Sequence, residues 1–257
     1  MNQSIALMYH DVLHNDVPSG FNGPGANAYK VSWQRFDQHL DVIAKHSSLQ
    51  PSVDLGNHDS DALYLTFDDG GASAFPLVAD RLEARGWRGI FFVTSARIDN
   101  DGFLPRAAIA KLDRRGHLIG SHSHNHPLQM ATLKKSDLRE EWERSCHILE
   151  DIVGHPINVA SIPGGMYSES VAQSAASSGI TDLFTSEPRR GIWATTHGCR
   201  LHGRYTIKQS TRPEWIAALV AGKRSPRWRQ RLSWESRKVM KRLLGPIYLR
   251  LRGRLTQ

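Results

Sequence analysis

Cysteine is scarce in this 257-residue chain, which contains only Cys146 and Cys199. The two lie far apart and lack the short spacing of a metal-binding pair, so two reduced thiols are expected. No apolar run approaches the ~18 residues that a membrane-spanning helix needs. The first residues, Met1 to Tyr9, have no basic region and too short an apolar run for a signal peptide. A cytoplasmic location is therefore expected.

Acidic residues are almost missing from the C-terminal segment 223–257, which holds twelve Lys and Arg but only one acid, Glu235. The segment carries a charge of +11 and the whole chain +8, so the other 222 residues carry −3. An acidic body argues against a nucleic-acid enzyme, which is usually basic around its site. Trp228, Trp234 and apolar residues from 240 to 251 alternate with the basic residues, a pattern typical of contact with an anionic membrane surface. A disordered solubilising tail and a helix packed on the body are the alternatives.

The chain also lacks internal repeats and has no glycine-rich G-x-G-x-x-G motif after its first predicted strand. Predicted strands and helices alternate six or seven times, which favours parallel β-structure with helices outside. A single α/β domain over residues 1–222, built as a barrel, fits this count best, and an open doubly wound sheet is the rival. Composition becomes basic near Gly222, so residues 223–257 are predicted to form a separate basic, amphipathic tail.

Two helix starts are predicted from capping residues. Ser32 precedes an amphipathic pattern that runs to about His46, and Thr211 precedes one that runs to Ala221. Between the barrel helices and this last helix, residues 200–207 are predicted to be extended.

Polar residues cluster where three predicted strands end, which is where reactive groups sit in folds of this kind. Asp68 and Asp69 follow one strand, a run of histidines from His122 to His126 follows another, and His10 follows the first. A simple turn is one interpretation of the aspartates, since Asp-Gly is a common turn signal. Adjacent carboxylates repel each other unless a cation or proton intervenes, so one can bind a metal while the other acts as a base.

The histidine run offers two ligands that are four residues apart. On a helix, His122 and His126 would project from one face, whereas Pro127 favours an extended conformation that would place the pair across a turn. An exposed loop with no ligand role is the alternative. One Asp with two His gives three protein ligands and open positions, as in catalytic metal sites. This constellation fits metal-assisted hydrolysis of an acyl group.

Two segments, Leu65-Thr-Phe-Asp-Asp-Gly70 and His122-Ser-His-Asn-His-Pro127, resemble the first two motifs of the polysaccharide deacetylases, carbohydrate esterase family 4 with its NodB homology domain. The resemblance covers roughly residues 4–207. It implies a distorted (β/α)7 barrel and one divalent ion, with Zn2+ the usual ion, although Co2+, Ni2+ or Mn2+ also suit N and O ligands. It further implies Asp68 as general base, and Asp69, His122 and His126 as metal ligands.

The third motif of that family, R-x-P-[YF], is matched only in part. Pro163 is in place, but Ser161 stands where the family has Arg and Gly164 where it has an aromatic residue. The backbone N–H of Gly164, beside Gly165, can still serve an oxyanion hole, because that role needs no side chain. Asp68 loses its expected partner, and either Arg200 or Arg204 is expected to replace it.

The late L-x-H motif of the family, whose histidine is the general acid, has no good match before the tail. Leu7-Met-Tyr-His10 is similar to it, and a branch of the family carries that strand at the N-terminus. In a closed barrel the first and last strands are neighbours, so His10 is expected to be the general acid. His202 is the alternative.

These features predict a metal-dependent hydrolase that removes N-acetyl groups from amino sugars, as in exopolysaccharide biosynthesis. The expected substrate is an N-acetylated surface polysaccharide or its lipid-linked precursor, with peripheral contact to the inner membrane face through residues 223–257 and no nucleic-acid partner. Two alternatives remain at this point. One is an esterase or amidase that uses the same site on a different small substrate, and the other is a non-catalytic glycan-binding or scaffold member of the fold.

Overall fold

The computed structural model describes residues 3–15, 17–56 and 60–236. They fold as one α/β domain in which helices surround a curled sheet. The strands are β1 (Ile5–Tyr9), β2 (Val12–Leu13), β3 (Val31–Ser32), β4 (Leu63–Phe67), β5 (Ile90–Val93), β6 (Leu118–Ser121), β7 (Val159–Ser161), β8 (Asp182–Phe184), β9 (Ile192–Ala194), β10 (Arg200–His202) and β11 (Tyr205–Thr206). The helices are α1 (Pro24–Asn27), α2 (Trp33–His46), α3 (Leu77–Glu83), α4 (Arg106–Arg114), α5 (Lys135–Val153), α6 (Glu169–Ser177) and α7 (Pro213–Val220), and residues 224–236 are also helical.

The main sheet has nine strands in the order β11-β1-β4-β5-β6-β7-β8-β10-β9, and β2 and β3 pair separately. Its neighbouring strands run parallel, except that β9 is antiparallel to β10. A helix follows each of β1, β4, β5, β6 and β7 before the next strand of the sheet. The carboxyl ends of these strands therefore meet at one edge, where the candidate site lies.

One stretch of chain, residues 200–206, pairs with strands on both sides of the barrel and closes it. Its first half, β10, pairs with β8, and its second half, β11, pairs with β1. Gly203 lies at the change of partner, where a Cβ atom would come within 2.6 Å of the Arg189 carbonyl oxygen. Seven strand positions thus enclose a distorted (β/α)7 barrel, as predicted, and the open doubly wound sheet is excluded.

Alternation along the strands divides the core into two layers. Leu63, Leu65 and Phe67 of β4 pack beneath the helices in the larger cluster. Tyr64 faces the inside of the barrel and joins a smaller cluster with side chains from neighbouring strands, including Phe92 and Phe184. The interior is therefore filled by side chains, and the open end of the barrel is left to polar residues.

Helix starts follow the capping residues only in part. The hydroxyl of Ser32 accepts a hydrogen bond from Arg35 N at 3.3 Å, and α2 runs to His46, as predicted. Helix α7 begins after Arg212, so the predicted cap at Thr211 is wrong. Proline at the first position of α7 fixes the helix start there, and the Thr211 hydroxyl accepts instead from Lys208 N at 2.9 Å.

The basic C-terminal segment is described only as far as residue 236. Within it, Gln230 makes two hydrogen bonds to the backbone of Thr206 in β11, at 3.1 and 2.7 Å, so the 224–236 helix packs on the barrel. The remainder of the predicted tail, with its apolar residues from 240 to 251, lies outside the described residues. Across the described ranges, no helix combines the length and the apolar character that crossing a bilayer requires.

Candidate metal centre and active site

Asp68 and Asp69 lie directly after β4, at the carboxyl edge of the sheet. The Asp68 N–H donates to the Tyr9 carbonyl at 3.0 Å, which continues the pairing with β1 beyond the strand. Asp69 has a φ of 76°, a left-handed conformation that is costly for a residue with a Cβ atom. Gly70 follows at φ 78°, where a Cβ atom would lie 3.0 Å from the Val93 side chain. This turn directs two consecutive carboxylates into one small space.

His122 and His126 follow β6, the second strand from β4 across the sheet. The segment between them is not helical, so the pair lies across a turn, the second of the two geometries that the sequence allows. Ser123 and His126 both have positive φ values, 61° and 58°. The Ser123 hydroxyl accepts from His126 N at 3.0 Å and stabilises the turn.

The turn is held from outside by a buried glutamate of α5. The Glu141 carboxylate accepts hydrogen bonds from His124 N at 3.0 Å and from Asn125 N at 2.8 Å. The His124 ring turns away from its two neighbours and lies 2.8 Å from the Ser95 hydroxyl. Sequence reasoning missed Glu141, although a lone acid on a face with buried Leu138 and Trp142 was an available signal.

Asp69, His122 and His126 form a set of three metal-ligand side chains. Asp69 Oδ1 lies 3.4 Å from Nε2 of each histidine, and the three ligand atoms are all within 4.8 Å of one another. The Nδ1–H of His122 donates to the Ser161 carbonyl at 2.9 Å, which orients Nε2 toward Asp69. One carboxylate and two imidazoles with such an orienting hydrogen bond suit a divalent ion with open positions.

Asp69 is ionised in this environment. Burial alone would raise its pKa, but hydrogen bonds from His122 and His126 outweigh burial and hold the pKa well below its usual range. An ionised carboxylate is the state in which aspartate binds a metal.

Asp68 is paired with Arg204, which comes from the junction of β10 and β11. Arg204 Nη1 donates to Asp68 Oδ1 at 2.6 Å and Nη2 to Oδ2 at 2.9 Å, and Nη2 also donates to the Ser161 hydroxyl at 2.7 Å. Arg204 is fully buried. Burial would raise the pKa of Asp68, but the charges of Arg204 and His122 outweigh it and lower the pKa. The carboxylate is therefore held ionised beside the candidate metal ligands.

Arg200 and His202 form a different group. Arg200 Nε and His202 Nε2 lie 2.9 and 2.8 Å from Oδ1 of Asp182, the first residue of β8, and the His202 ring stacks on Phe184 with centroids 4.3 Å apart. Burial raises the pKa of Asp182, but hydrogen bonds from His202 and Arg200 lower it to about 2. Of the two candidate arginines, only Arg204 reaches Asp68.

His10 follows β1 and is half-buried at the same edge of the sheet. Its ring packs on Tyr29, with centroids 4.8 Å apart. The strand register pairs Tyr9 of β1 with Phe67 of β4, so His10 and Asp68 follow neighbouring strands at the same level of the sheet. Among the described residues, buried His10 Nδ1 has no hydrogen-bond partner.

Residues Pro163 to Gly165 form a single 3-10 turn after β7. Both glycines have a φ of 66°, and a Cβ atom at Gly165 would come within 2.0 Å of the Ser186 hydroxyl oxygen. The Gly165 N–H donates to the Ile162 carbonyl at 2.8 Å, which leaves the Gly164 N–H as the candidate oxyanion donor. Gly164 lies against the Leu128 carbonyl, close to the histidine turn.

Asp11, next to His10, is buried and links the segment after β2 to the segment that follows Asp68 and Asp69. Its Oδ1 accepts hydrogen bonds from the hydroxyls of Ser19 and Ser73, the latter at 2.8 Å. A Cβ atom at Gly71 would overlap the Asp11 carboxylate, at 1.9 Å. Asp11 therefore has a structural position at the edge of the site.

Sequence and structure comparisons relate this chain to known proteins. The sequence profile described as polysaccharide deacetylase matches residues 55–183, half of the chain. The peptidoglycan-N-acetylmuramic acid deacetylase PdaA of Bacillus subtilis is 31% identical over 134 residues, which are 51% of this chain and 49% of PdaA. This chain spans about half the length, or less, of the curated relatives it matches.

Solved structures share the fold. IcaB from Ammonifex degensii superposes with a TM-score of 0.70 at 17% identity, over 86% of this chain and 98% of that one. The Streptococcus pyogenes deacetylase PplD, solved with acetate, gives a TM-score of 0.67 at 18% identity, over 82% and 95% of the two chains. The profile match includes the aspartate and histidine motifs, whereas His10 and Arg204 lie outside it. This chain belongs to the polysaccharide deacetylase family.

Proposed function

We propose that this protein is a metal-dependent hydrolase that removes N-acetyl groups from amino sugars of a surface polysaccharide or of its lipid-linked precursor. The observation that carries the proposal is the set of Asp69, His122 and His126 beside a second carboxylate, Asp68, that Arg204 holds ionised. Membership of the polysaccharide deacetylase family supports the reaction class.

Asp69, His122 and His126 would hold one divalent ion. Zn2+ is the first choice for two imidazoles and a carboxylate, and Co2+, Ni2+ or Mn2+ suit the same donors. Such an ion supplies a Lewis acid that polarises the acetamide carbonyl and makes water more acidic.

Asp68 acts as the general base. It lies next in sequence to the ligand Asp69, and its Oδ2 is 4.0 Å from His122 Nε2. Its ionised carboxylate accepts a proton from the attacking water. The two bonds from Arg204 fix the orientation of the carboxylate, so the base needs no rearrangement before proton transfer.

His10 is the proposed general acid. An amide nitrogen must be protonated before it leaves, and a histidine donates a proton readily near neutral pH. Packing on Tyr29 orients the His10 ring. His202 is the weaker candidate, because its ring binds Asp182 and stacks on Phe184 inside the barrel.

The Gly164 N–H is the proposed donor to the negative charge that develops on the carbonyl oxygen. Its position after β7 places it near Ser161, whose hydroxyl lies 3.3 Å from Asp68 Oδ2. A backbone donor performs this role without the aromatic residue that the family usually has here.

The 224–236 helix supports a further part of the proposal, that the chain contacts a membrane surface. Trp228 and Leu232 are four residues apart, so they project from one face, and they are 62% and 64% exposed. Arg229 and Arg231 lie beside them and are also exposed. Exposed apolar side chains flanked by arginine suit the anionic inner surface of a membrane, where a lipid-linked substrate would be met.

Acetate release tests the proposal directly. The purified chain, supplied with a divalent ion, is incubated with N-acetylglucosamine oligomers and with lipid-linked N-acetylhexosamine, and free acetate is measured. Acetate that disappears on chelation, and in the His126→Ala variant, is the expected result. Acetate from acetyl esters alone would identify an esterase, and no acetate from any substrate would identify a non-catalytic member of the family.

A further inference from the structure

Two aromatic side chains from the segment between β2 and β3 pack against two imidazoles of the site. The Phe21 ring lies 4.8 Å from the ring of His126, and the Tyr29 ring lies 4.8 Å from the ring of His10. One imidazole belongs to a candidate metal ligand and the other to the proposed general acid. Both aromatic side chains are half-buried, so each is partly accessible at the edge of the site.

A cationic side chain lies over each of these aromatic rings. The guanidinium carbon of Arg97 is 5.3 Å from the centroid of Phe21, and Lys208 Nζ is 5.6 Å from the centroid of Tyr29. Each aromatic ring therefore contacts both a cation and an imidazole of the site. A cation over an aromatic face keeps its charge and is restrained in position.

Neither cation is neutralised by its surroundings. In the described part of the chain, neither Arg97 nor Lys208 has a carboxylate within 4.0 Å, unlike Arg204, which is bound by Asp68. Arg97 is exposed and Lys208 is half-buried, so both side chains are accessible to solvent. A neutral glycan would gain little from two unpaired cations, whereas an acidic group would gain a charge-assisted hydrogen bond from each.

We infer that Arg97 and Lys208 select N-acetylated sugars that carry acidic groups, and that such acidic sugars are the substrate class of this enzyme. This inference rests on the proposed deacetylase function and narrows its substrate. A sugar carboxylate and the phosphate that links a sugar to a lipid carrier present the same anionic oxygens. Arginine binds either of them through two parallel N–H groups, and lysine binds either as a point charge.

The surroundings of Lys208 suit the phosphate source. Thr206, two residues before Lys208, is bound by Gln230 of the 224–236 helix, which exposes Trp228 and Leu232. A lipid phosphate at a membrane contacted by this helix would approach the site from the side of Lys208.

The test compares one neutral and two acidic substrates. The neutral substrate is an N-acetylglucosamine oligomer, and the acidic ones are a muramic-acid-containing oligomer and a polyprenyl-phosphate-linked N-acetylhexosamine in neutral detergent. Values of kcat/KM are measured for the wild type, Arg97→Gln and Lys208→Gln. Arg189→Gln is the matched control, because Arg189 lies over an aromatic ring, that of Trp193 at 4.3 Å, on a different part of the sheet.

The wild type should prefer an acidic substrate, and high salt should weaken that preference. Each test variant should lower the ratio of acidic to neutral kcat/KM by about 10-fold, the effect of losing one charged hydrogen bond. The control should leave the ratio unchanged. A larger effect of Lys208→Gln on the phosphate substrate than on the carboxylate substrate would assign the phosphate source, and the reverse would assign the carboxylate.

A ratio that is the same in the wild type and both test variants would overturn the inference while leaving the deacetylase function intact. Absence of acetate from all three substrates would contradict the function itself. Binding can also be compared without turnover. The affinities of the same three glycans are measured by calorimetry for Asp68→Asn proteins with and without the Arg97 and Lys208 changes. Equal affinity for acidic and neutral glycans there would again overturn the inference.

Discussion

Arg204 binds both oxygens of Asp68, at 2.6 and 2.9 Å, although 136 residues separate them in the chain. Ser161, where the family has arginine, accepts a third bond from the same guanidinium at 2.7 Å. Arg204 comes from the β10–β11 junction, and β8 lies between β7 and β10 in the sheet. The charge partner of Asp68, the proposed base, is therefore supplied by this junction and not by β7.

Removal of this guanidinium should damage both folding and catalysis. Arg204→Gln leaves a buried carboxylate unpaired, which typically costs about 3–5 kcal/mol of unfolding free energy. Because Arg204 lowers the pKa of Asp68, its loss raises that pKa, so the low-pH limb of the kcat/KM profile should move to higher pH. Denaturant unfolding and the pH profile measure the two effects.

Ser161→Arg in the Arg204→Gln background is the matching rescue, since it returns the arginine to the position usual in the family. Partial recovery of the pH profile is expected. Arg200→Gln is the control, because Arg200 pairs with Asp182, and it should leave the profile unchanged. A shifted profile in Arg200→Gln but not in Arg204→Gln would refute the assignment.

Substitutions of the two adjacent aspartates should have different effects on metal content and kcat. Asp68→Asn should keep the metal but lose at least about 10²-fold in kcat, the usual effect of removing a general base. Asp69→Asn should lose metal and activity together. Metal content by mass spectrometry and kcat are measured on the same preparations, and loss of metal from the Asp68 variant alone would reverse the two roles.

His10→Ala tests the proton donor. The variant should retain metal and fold, and should lose far more activity on an acetamide than on an activated acetyl ester, whose leaving group needs no proton. His202→Ala should reduce stability instead, because it removes a hydrogen-bond partner of Asp182. If His10→Ala hydrolysed the amide at the wild-type rate while His202→Ala selectively lost amide hydrolysis, His202 would be the general acid.

Membrane contact should depend on the exposed face of the 224–236 helix. Trp228→Ser with Leu232→Ser should weaken binding of the full chain to vesicles that contain phosphatidylglycerol, and high salt should weaken binding of the wild type. Val17→Ser removes another exposed apolar side chain, 57% exposed and distant in sequence, and serves as the control. Equal vesicle binding by the double variant and the wild type would contradict the proposed contact.

The sequence predicted the parts of the site that depend on short segments. Asp69, His122 and His126 each follow a strand, and parallel strands bring their carboxyl ends to one edge, so their meeting could be predicted. The helix start at Ser32 also depends on a short segment, whereas α7 begins at Pro213, two residues after the predicted cap at Thr211.

The remaining features depend on contacts between distant segments. The choice between Arg200 and Arg204 is made by the closure of the barrel, which sends one side chain to Asp182 and the other to Asp68. The positive φ of Asp69 gives no signal in the sequence, because such conformations are usually marked by glycine. The hydrogen bonds that Gln230 of the 224–236 helix makes to Thr206 of β11 likewise join segments that are separate in the sequence.

Metal reconstitution tests the central claim most directly. Acetate release from an N-acetylated glycan is followed while Zn2+ is titrated into protein stripped of metal by chelation. Release should begin from zero and reach its maximum near one ion per chain, with no rise in His122→Ala or in His126→Ala. His147→Ala, which changes an exposed histidine on α5, should behave as the wild type does. Full activity in the stripped protein, or metal binding without acetate from any N-acetylated glycan, would contradict the assignment of a metal-dependent deacetylase.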